Sequence, residues 1–230
     1  SVTKIYIFII FLFLFDIILS QKIPKSLEIS INKTEYHHDI YEFLQDNLFH
    51  ILTEYPKDLQ VKNDFDDLFE EKMKNLFEPY TLNYKLLDLK KNKSLINSKE
   101  FKNFKEDENV EVNISTLVYI PGKLMVAPVF LNYPHPENEI PHVSLMLGGE
   151  FRSIDANYIL KSLFFENKEL RALYDEGFIK DPKFQINLHL KDVRIIYEDR
   201  HLQEFLDHVY LVKYDSHLIL KGITKKVYSK

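Results

Sequence analysis

The stretch that decides the fold runs from Ile114 to Leu131 and reads Ile-Ser-Thr-Leu-Val-Tyr-Ile-Pro-Gly-Lys-Leu-Met-Val-Ala-Pro-Val-Phe-Leu. Two apolar, β-branched runs flank Pro121-Gly122. Proline presets φ and glycine tolerates a positive φ, so this dipeptide marks a tight turn. The pattern predicts a hairpin with one strand over Ile114–Ile120 and a returning strand over Leu124–Leu131.

Working outward, Val143–Leu147 reads as a third strand ended by Gly148-Gly149. Phe184, Ile186, Leu188 and Leu190 alternate, as do Val193, Ile195 and Tyr197, which is the signature of half-buried strands. A short helix near His201–Asp207 and strands at Val209–Val212 and His217–Ile223 are expected to finish the chain. Upstream the period changes. Ile40, Phe43, Leu44, Leu48 and Ile51 recur at helical spacing and predict a helix over His38–Thr53. Asn63 or Asp64 can cap a second helix whose apolar face is Phe65, Leu68, Phe69, Met73 and Leu76. Ser153 or Asp155 can cap a third, holding Ile159, Leu160, Leu163 and Phe164, and Gly177 closes a short helix behind it. Leu89–Asn109 is rich in Lys, Asn and Glu and reads as an exposed loop. Helices thus mix with mostly antiparallel strands, which is the α+β class. Residues 21–230 form one domain behind a leader.

Composition narrows the functions. The 30 Lys and Arg against 35 Asp and Glu give a net charge of −5, which argues against a strongly basic nucleic-acid binder. It leaves room for a nucleotide held in a local pocket. No cysteine is present, so disulfides, thiolate catalysis and Cys-based zinc sites are excluded.

Lys4 precedes an unbroken apolar run, Ile5–Phe15, followed by Asp16 and the small residue Ser20. The run is short of the roughly 20 residues a bilayer span needs. It fits a signal peptide over residues 1–20 and a secreted, ER-lumenal or vacuolar protein, the alternative being an uncleaved N-terminal anchor. The sequons Asn32-Lys33-Thr34, Asn92-Lys93-Ser94 and Asn113-Ile114-Ser115 agree with that route.

Most polar clusters read as solvated surface. His37-His38-Asp39 reads as a helix start, because adjacent side chains diverge. Asp64, Asp66 and Asp67 lack the glycine and terminal glutamate of a calcium loop and read as an acidic helix face. Asp199-Arg200-His201 and Asp207-His208 read as helix-end charges. No phosphate loop, G-x-S-x-G or H-E-x-x-H is present. One segment stands out: Ile140-Pro141-His142-Val143-Ser144-Leu145. An imidazole and a hydroxyl at i and i+2 on a strand share a face. Together they can serve one phosphate, the imidazole moving a proton and the hydroxyl binding a phosphoryl oxygen.

The hairpin Ser115–Val129, the segment Asn138-Glu139-Ile140-Pro141-His142-Val143-Ser144 and the helix start Ile154-Asp155-Ala156-Asn157-Tyr158-Ile159-Leu160 together resemble the second half of a known domain. It is the cyclic phosphodiesterase domain of fungal- and plant-type tRNA ligases, a member of the 2H phosphoesterase superfamily. The resemblance covers roughly residues 75–170, about 40% of the chain. It implies a bilobal α+β fold with two H-x-T/S motifs on inner strands, one His acting as base and the other as acid. The implied reaction opens a 2′,3′-cyclic phosphate on an RNA end or nucleotide, without metal or cofactor. His142 and Ser144 then form the second motif. The first aligns with Pro79-Tyr80-Thr81-Leu82, 63 residues upstream. Thr81 keeps the hydroxyl and Lys85 is placed to contact phosphate, but Pro79 stands where a proton-transferring His belongs. His50, His135, His189 and His217 are the alternative second imidazoles. Two other readings stand beside the enzyme: a non-catalytic binding module of the same fold, and an unrelated secreted α+β domain.

Overall fold

The computed structural model describes residues 6, 10, 23–69, 81–133, 140–148, 150–178, 181, 183–213 and 218–229. The leader reading therefore lies outside the described residues, as do Pro79, His135 and His217. Among the described residues no helix is long and apolar enough to cross a membrane.

The order is β1 (Ser26–Asn32), α1 (Lys33–Glu54), α2 (Leu59–Phe69), β2 (Thr81–Asp88), a 3₁₀ turn (Lys93–Asn97), α3 (Lys99–Asn103), β3 (Asn109–Ile114), β4 (Leu117–Ile120), β5 (Leu124–Leu131), β6 (His142–Leu147), α4 (Asp155–Lys161), a π-turn (Ser162–Glu166), α5 (Lys168–Asp175), β7 (Ile186–Tyr197), β8 (Leu202–Lys213) and β9 (Leu218–Val227). These nine described strands form one antiparallel sheet in the order β2-β1-β9-β3-β5-β4-β8-β7, with β6 also on β5. The α+β expectation holds. The sheet has two halves that share β5: its C-terminal end pairs with β3, and its N-terminal end with β4 and β6.

Two helical layers cover the sheet, on opposite faces. Tyr119, Met125 and Tyr210 pack with α1 and α2 through Ile40, Phe43, Leu44, Leu48, Ile51 and Val61. Val118, Val126 and Leu211, the alternate residues of the same strands, pack with Ile159, Leu160, Leu163, Phe164 and Leu170 of α4, the π-turn and α5. Leu44 and Leu48 are completely buried. Each such side chain contributes about 1.5–3 kcal/mol through its burial. The period that predicts α1 is thus the stripe that meets the sheet.

Tertiary pairing overrides several local expectations. The segment read as a helix near His201–Asp207 is strand. Val193, Arg194 and Ile195 of β7 face Leu206, Phe205 and Glu204 of β8, so ladder bonds outweigh helix-forming residues. His201 itself takes a left-handed turn conformation, φ 49°. The 89–109 segment, read as an exposed loop, carries the 3₁₀ turn and α3 and is anchored by buried Phe104. Asp155 does not occupy the cap position of α4. It is buried, accepting from the Arg152 amide and the Arg200 guanidinium.

Asp64 departs most from its sequence reading. It is buried beneath the hairpin, and its Oδ2 accepts from the Tyr119 hydroxyl and, at 2.6 Å, from the Gly122 amide. Gly122 has φ +70°, and the Lys123 amide donates to the Ile120 carbonyl, closing the Pro-Gly turn. Asp58 likewise accepts from the Tyr210 hydroxyl at 2.7 Å, and Glu204 from Tyr197 at 3.0 Å. Burial first, then the carboxylate neighbour, holds Tyr119 and Tyr197 above the ordinary phenol value; for Tyr210 burial is followed by its hydrogen bond to Asp58. These phenols stay protonated in the fold while the unfolded chain ionises near pH 10. Their stabilisation is complete below about pH 10 and declines as pH rises further, since the folded state then binds more protons. Denaturant titrations should show unfolding free energy falling above about pH 10. A flat profile through that range would contradict the assignment.

Candidate functional site

The site is built on β5. Met125, Ala127, Val129 and Leu131 all face the first core cluster, so β5 alternates without a break. Its partner does not. Val110, Val112 and Ile114 face that cluster, and so do Leu117 and Tyr119, leaving two residues between Ile114 and Leu117 where regular alternation allows one. The single strand expected over Ile114–Ile120 is therefore interrupted by a bulge at Ser115-Thr116. A second irregularity lies across β5: Val126 pairs with Ser144 and Met125 with Met146, so Leu145 is the extra residue. Bulges re-aim side chains and gather next to functional sites.

Between these irregularities sits the His-x-Ser pair. His142 opposes Pro128 and Ser144 opposes Val126, on the face of the second core cluster. Thr116 is fully buried and its hydroxyl has no hydrogen-bond partner among the described residues; the same holds for Asn113 Oδ1. Buried polar atoms without partners are uncommon, and an ordered water is the ordinary way to satisfy them. The sequence reading gave Asn113, Ser115 and Thr116 no part here. A Ser-Thr pair inside an apolar strand was the available signal.

His142 is 9% exposed, and its Nδ1 lies 2.8 Å from the Ile140 carbonyl oxygen. A carbonyl only accepts, so Nδ1 carries the proton and donates. The neutral ring then presents an unprotonated Nε2. Burial lowers the imidazole below its ordinary pKa of 6.5, outweighing the Ile140 carbonyl, which acts the other way. Near neutral pH His142 is therefore an uncharged base with a fixed tautomer. Ser144, half-buried, follows on the same face.

Thr81 begins β2, opposite Asn32; β2 ends the strand order and touches β6 without pairing to it. Lys85 lies four residues further along β2, about 13 Å of strand. It is exposed, and its ammonium sits 3.2 Å from Asp88 Oδ2. Burial pushes the Asp88 carboxyl up, but the Lys91 amide, Lys85 and the Lys90 amide outweigh it and hold the group below its usual value. His50 is exposed on α1. His189 belongs to the row Tyr119, Tyr210, His189, on the face opposite His142, and so cannot serve as its partner. Asn92 is exposed and its side chain caps the 3₁₀ turn, whereas Asn113 is half-buried in the ladder.

No protein-family model matches this chain, and no curated protein matches it. Its fold is similar to that of a solved structure described as the crystal structure of a fungal RNA kinase, at 13% identity and a TM-score of 0.46. The match covers 90% of this chain and 46% of that one, so the chain spans about half that structure's length.

Proposed function

We propose that the chain binds a 2′,3′-cyclic phosphate on an RNA end or nucleotide and opens it by hydrolysis at His142. The observation that carries this reading is the buried imidazole, tied through Nδ1 to Ile140 and basic at Nε2, two residues from a hydroxyl. His142 Nε2 accepts a proton from water as the water oxygen bonds to phosphorus. One ribose–oxygen bond to phosphorus breaks, and that oxygen takes up a proton, leaving a phosphomonoester and a free hydroxyl. Ser144 donates to a phosphoryl oxygen as charge builds there. With Pro79 in the first motif position, one imidazole does the work of two. Pro79 also favours a second reading, a module that holds the cyclic phosphate without turning it over.

The test is hydrolysis of a 2′,3′-cyclic nucleotide in the presence of chelator, followed across about pH 4 to 8. The active form carries neutral His142, whose pKa is lowered. The rate should therefore persist as pH falls through 6.5 and decline only at lower pH, along a single limb. A limb centred above 6.5 would place the base elsewhere. Binding without turnover would support the module, and neither binding nor turnover would sink both readings.

A further inference from the structure

A second cluster of chemistry lies on the opposite face of the sheet, at the open end of the β7–β8 ribbon. His189 opposes Tyr210 and Lys191 opposes His208, so the two imidazoles are diagonal neighbours on one face. His189 Nε2 lies 2.8 Å from His208 Nδ1. Both rings are held in place. His189 stacks on Tyr210, with centroids 4.4 Å apart and 7° between planes, meets Tyr55 edge-on at 4.7 Å, and stacks on His208 at 5.0 Å. Tyr210 is fixed in turn by its hydrogen bond to Asp58. Beside the pair lies a solvent-open cavity of about 620 Å³, with Glu54, Lys57 and Asp58 among its lining residues.

Two imidazole nitrogens aimed at each other have room for one proton between them, so one donates and the other accepts. A metal ion that prefers nitrogen can take the place of that proton. We propose that His189 and His208 form a two-imidazole chelate for a borderline divalent transition-metal ion, Zn²⁺ or Cu²⁺. Zinc–imidazole bonds of about 2.0–2.1 Å in tetrahedral geometry set the two nitrogens about 3.3 Å apart, so the two rings need to part by about half an ångström from the 2.8 Å seen. Late transition metals favour imidazole, whereas Mg²⁺ and Ca²⁺ favour oxygen. Among the described residues no group of three or more His, Asp or Glu side chains converges to hold an ion. The remaining coordination positions therefore face the cavity and take water or a donor from a bound molecule. Asp58 and Glu54 already accept from Tyr210 and Asn187, so they act through charge and through hydrogen bonds to metal-bound water. This site is separate from the His142 site, and its metal plays no part in the hydrolysis proposed there.

The experiment titrates Cu²⁺ into the full chain and reads the copper EPR spectrum for nitrogen couplings. It is paired with Zn²⁺ affinity by calorimetry for wild type, His208→Gln, His189→Gln and the control His201→Gln. His208 and His201 are both exposed, so neither change threatens folding. The expected result is a two-nitrogen copper signal in wild type. It should be lost in both site variants, with Zn²⁺ bound about 10–100-fold more weakly, and His201→Gln should match wild type. Zn²⁺ should also raise the wild-type Tm but not that of His208→Gln, and Mg²⁺ should leave both unmoved. Zn²⁺ affinity in His208→Gln equal to wild type, or an equal loss in His201→Gln, would overturn the proposal.

Discussion

Replacing His142 by alanine is expected to lower the rate of cyclic-phosphate opening by about 10²–10⁴-fold, the range a positioned general base contributes. At 1.36 kcal/mol per tenfold, that is about 3–5 kcal/mol of transition-state stabilisation. Because His142 is 9% exposed, alanine also removes packing and leaves the Ile140 carbonyl without its donor. His142→Asn separates these effects. The asparagine amide can donate to the same carbonyl but cannot accept a proton at neutral pH. Stability close to wild type with activity as low as in the alanine variant would assign the loss to the missing base. Ser144→Ala should cost about 10²–10³-fold, since it removes one donor to the phosphoryl oxygen and leaves the base. Product formation with chelator present, alongside affinity for a non-hydrolysable analogue, separates chemistry from binding. Undiminished turnover in His142→Asn would show that the reaction runs elsewhere.

The largest effect on stability is expected at Asp64. Asp64→Ala leaves the Tyr119 hydroxyl, at 1% exposure, and the Gly122 amide without their acceptor. Each buried donor left unmade costs about 1–3 kcal/mol, so the change should cost about 3 kcal/mol or more. For a chain of this size that is a fall in Tm of about 10 °C. Asp66→Ala, two residues away, is the contrast. Asp66 is paired with Lys62 on the surface, with both side chains more than half exposed. Exposed pairs of this kind are worth about 0–1 kcal/mol. Adding Tyr119→Phe to Asp64→Ala should recover part of the loss, because one of the stranded donors is then gone. Equal thermal stability of Asp64→Ala and Asp66→Ala would refute the docking role of the Tyr119–Asp64 contact.

The two carboxylates show where sequence stops. Asp64 and Asp66 are chemically identical and lie on one helix. Only the hairpin folding over α2 makes the first a buried acceptor and leaves the second in water.

What the sequence determined by itself was local and periodic. The 3.6-residue stripe of α1, the Pro121-Gly122 turn, the bounds of β5 and the shared face of His142 and Ser144 all follow from spacing within one segment. Tertiary structure decided whatever depends on partners distant in the chain. The bulge at Ser115-Thr116 exists because β5 runs straight while its partner carries one residue too many. Helix-forming residues around Glu204 became strand because β7 supplies a ladder. His189 and His208, which show no common pattern along the chain, meet only because that ladder sets their strands in register. Side-chain period is a property of a single segment, whereas register and burial are properties of the pairing, and pairing is settled by the free energy of the whole sheet.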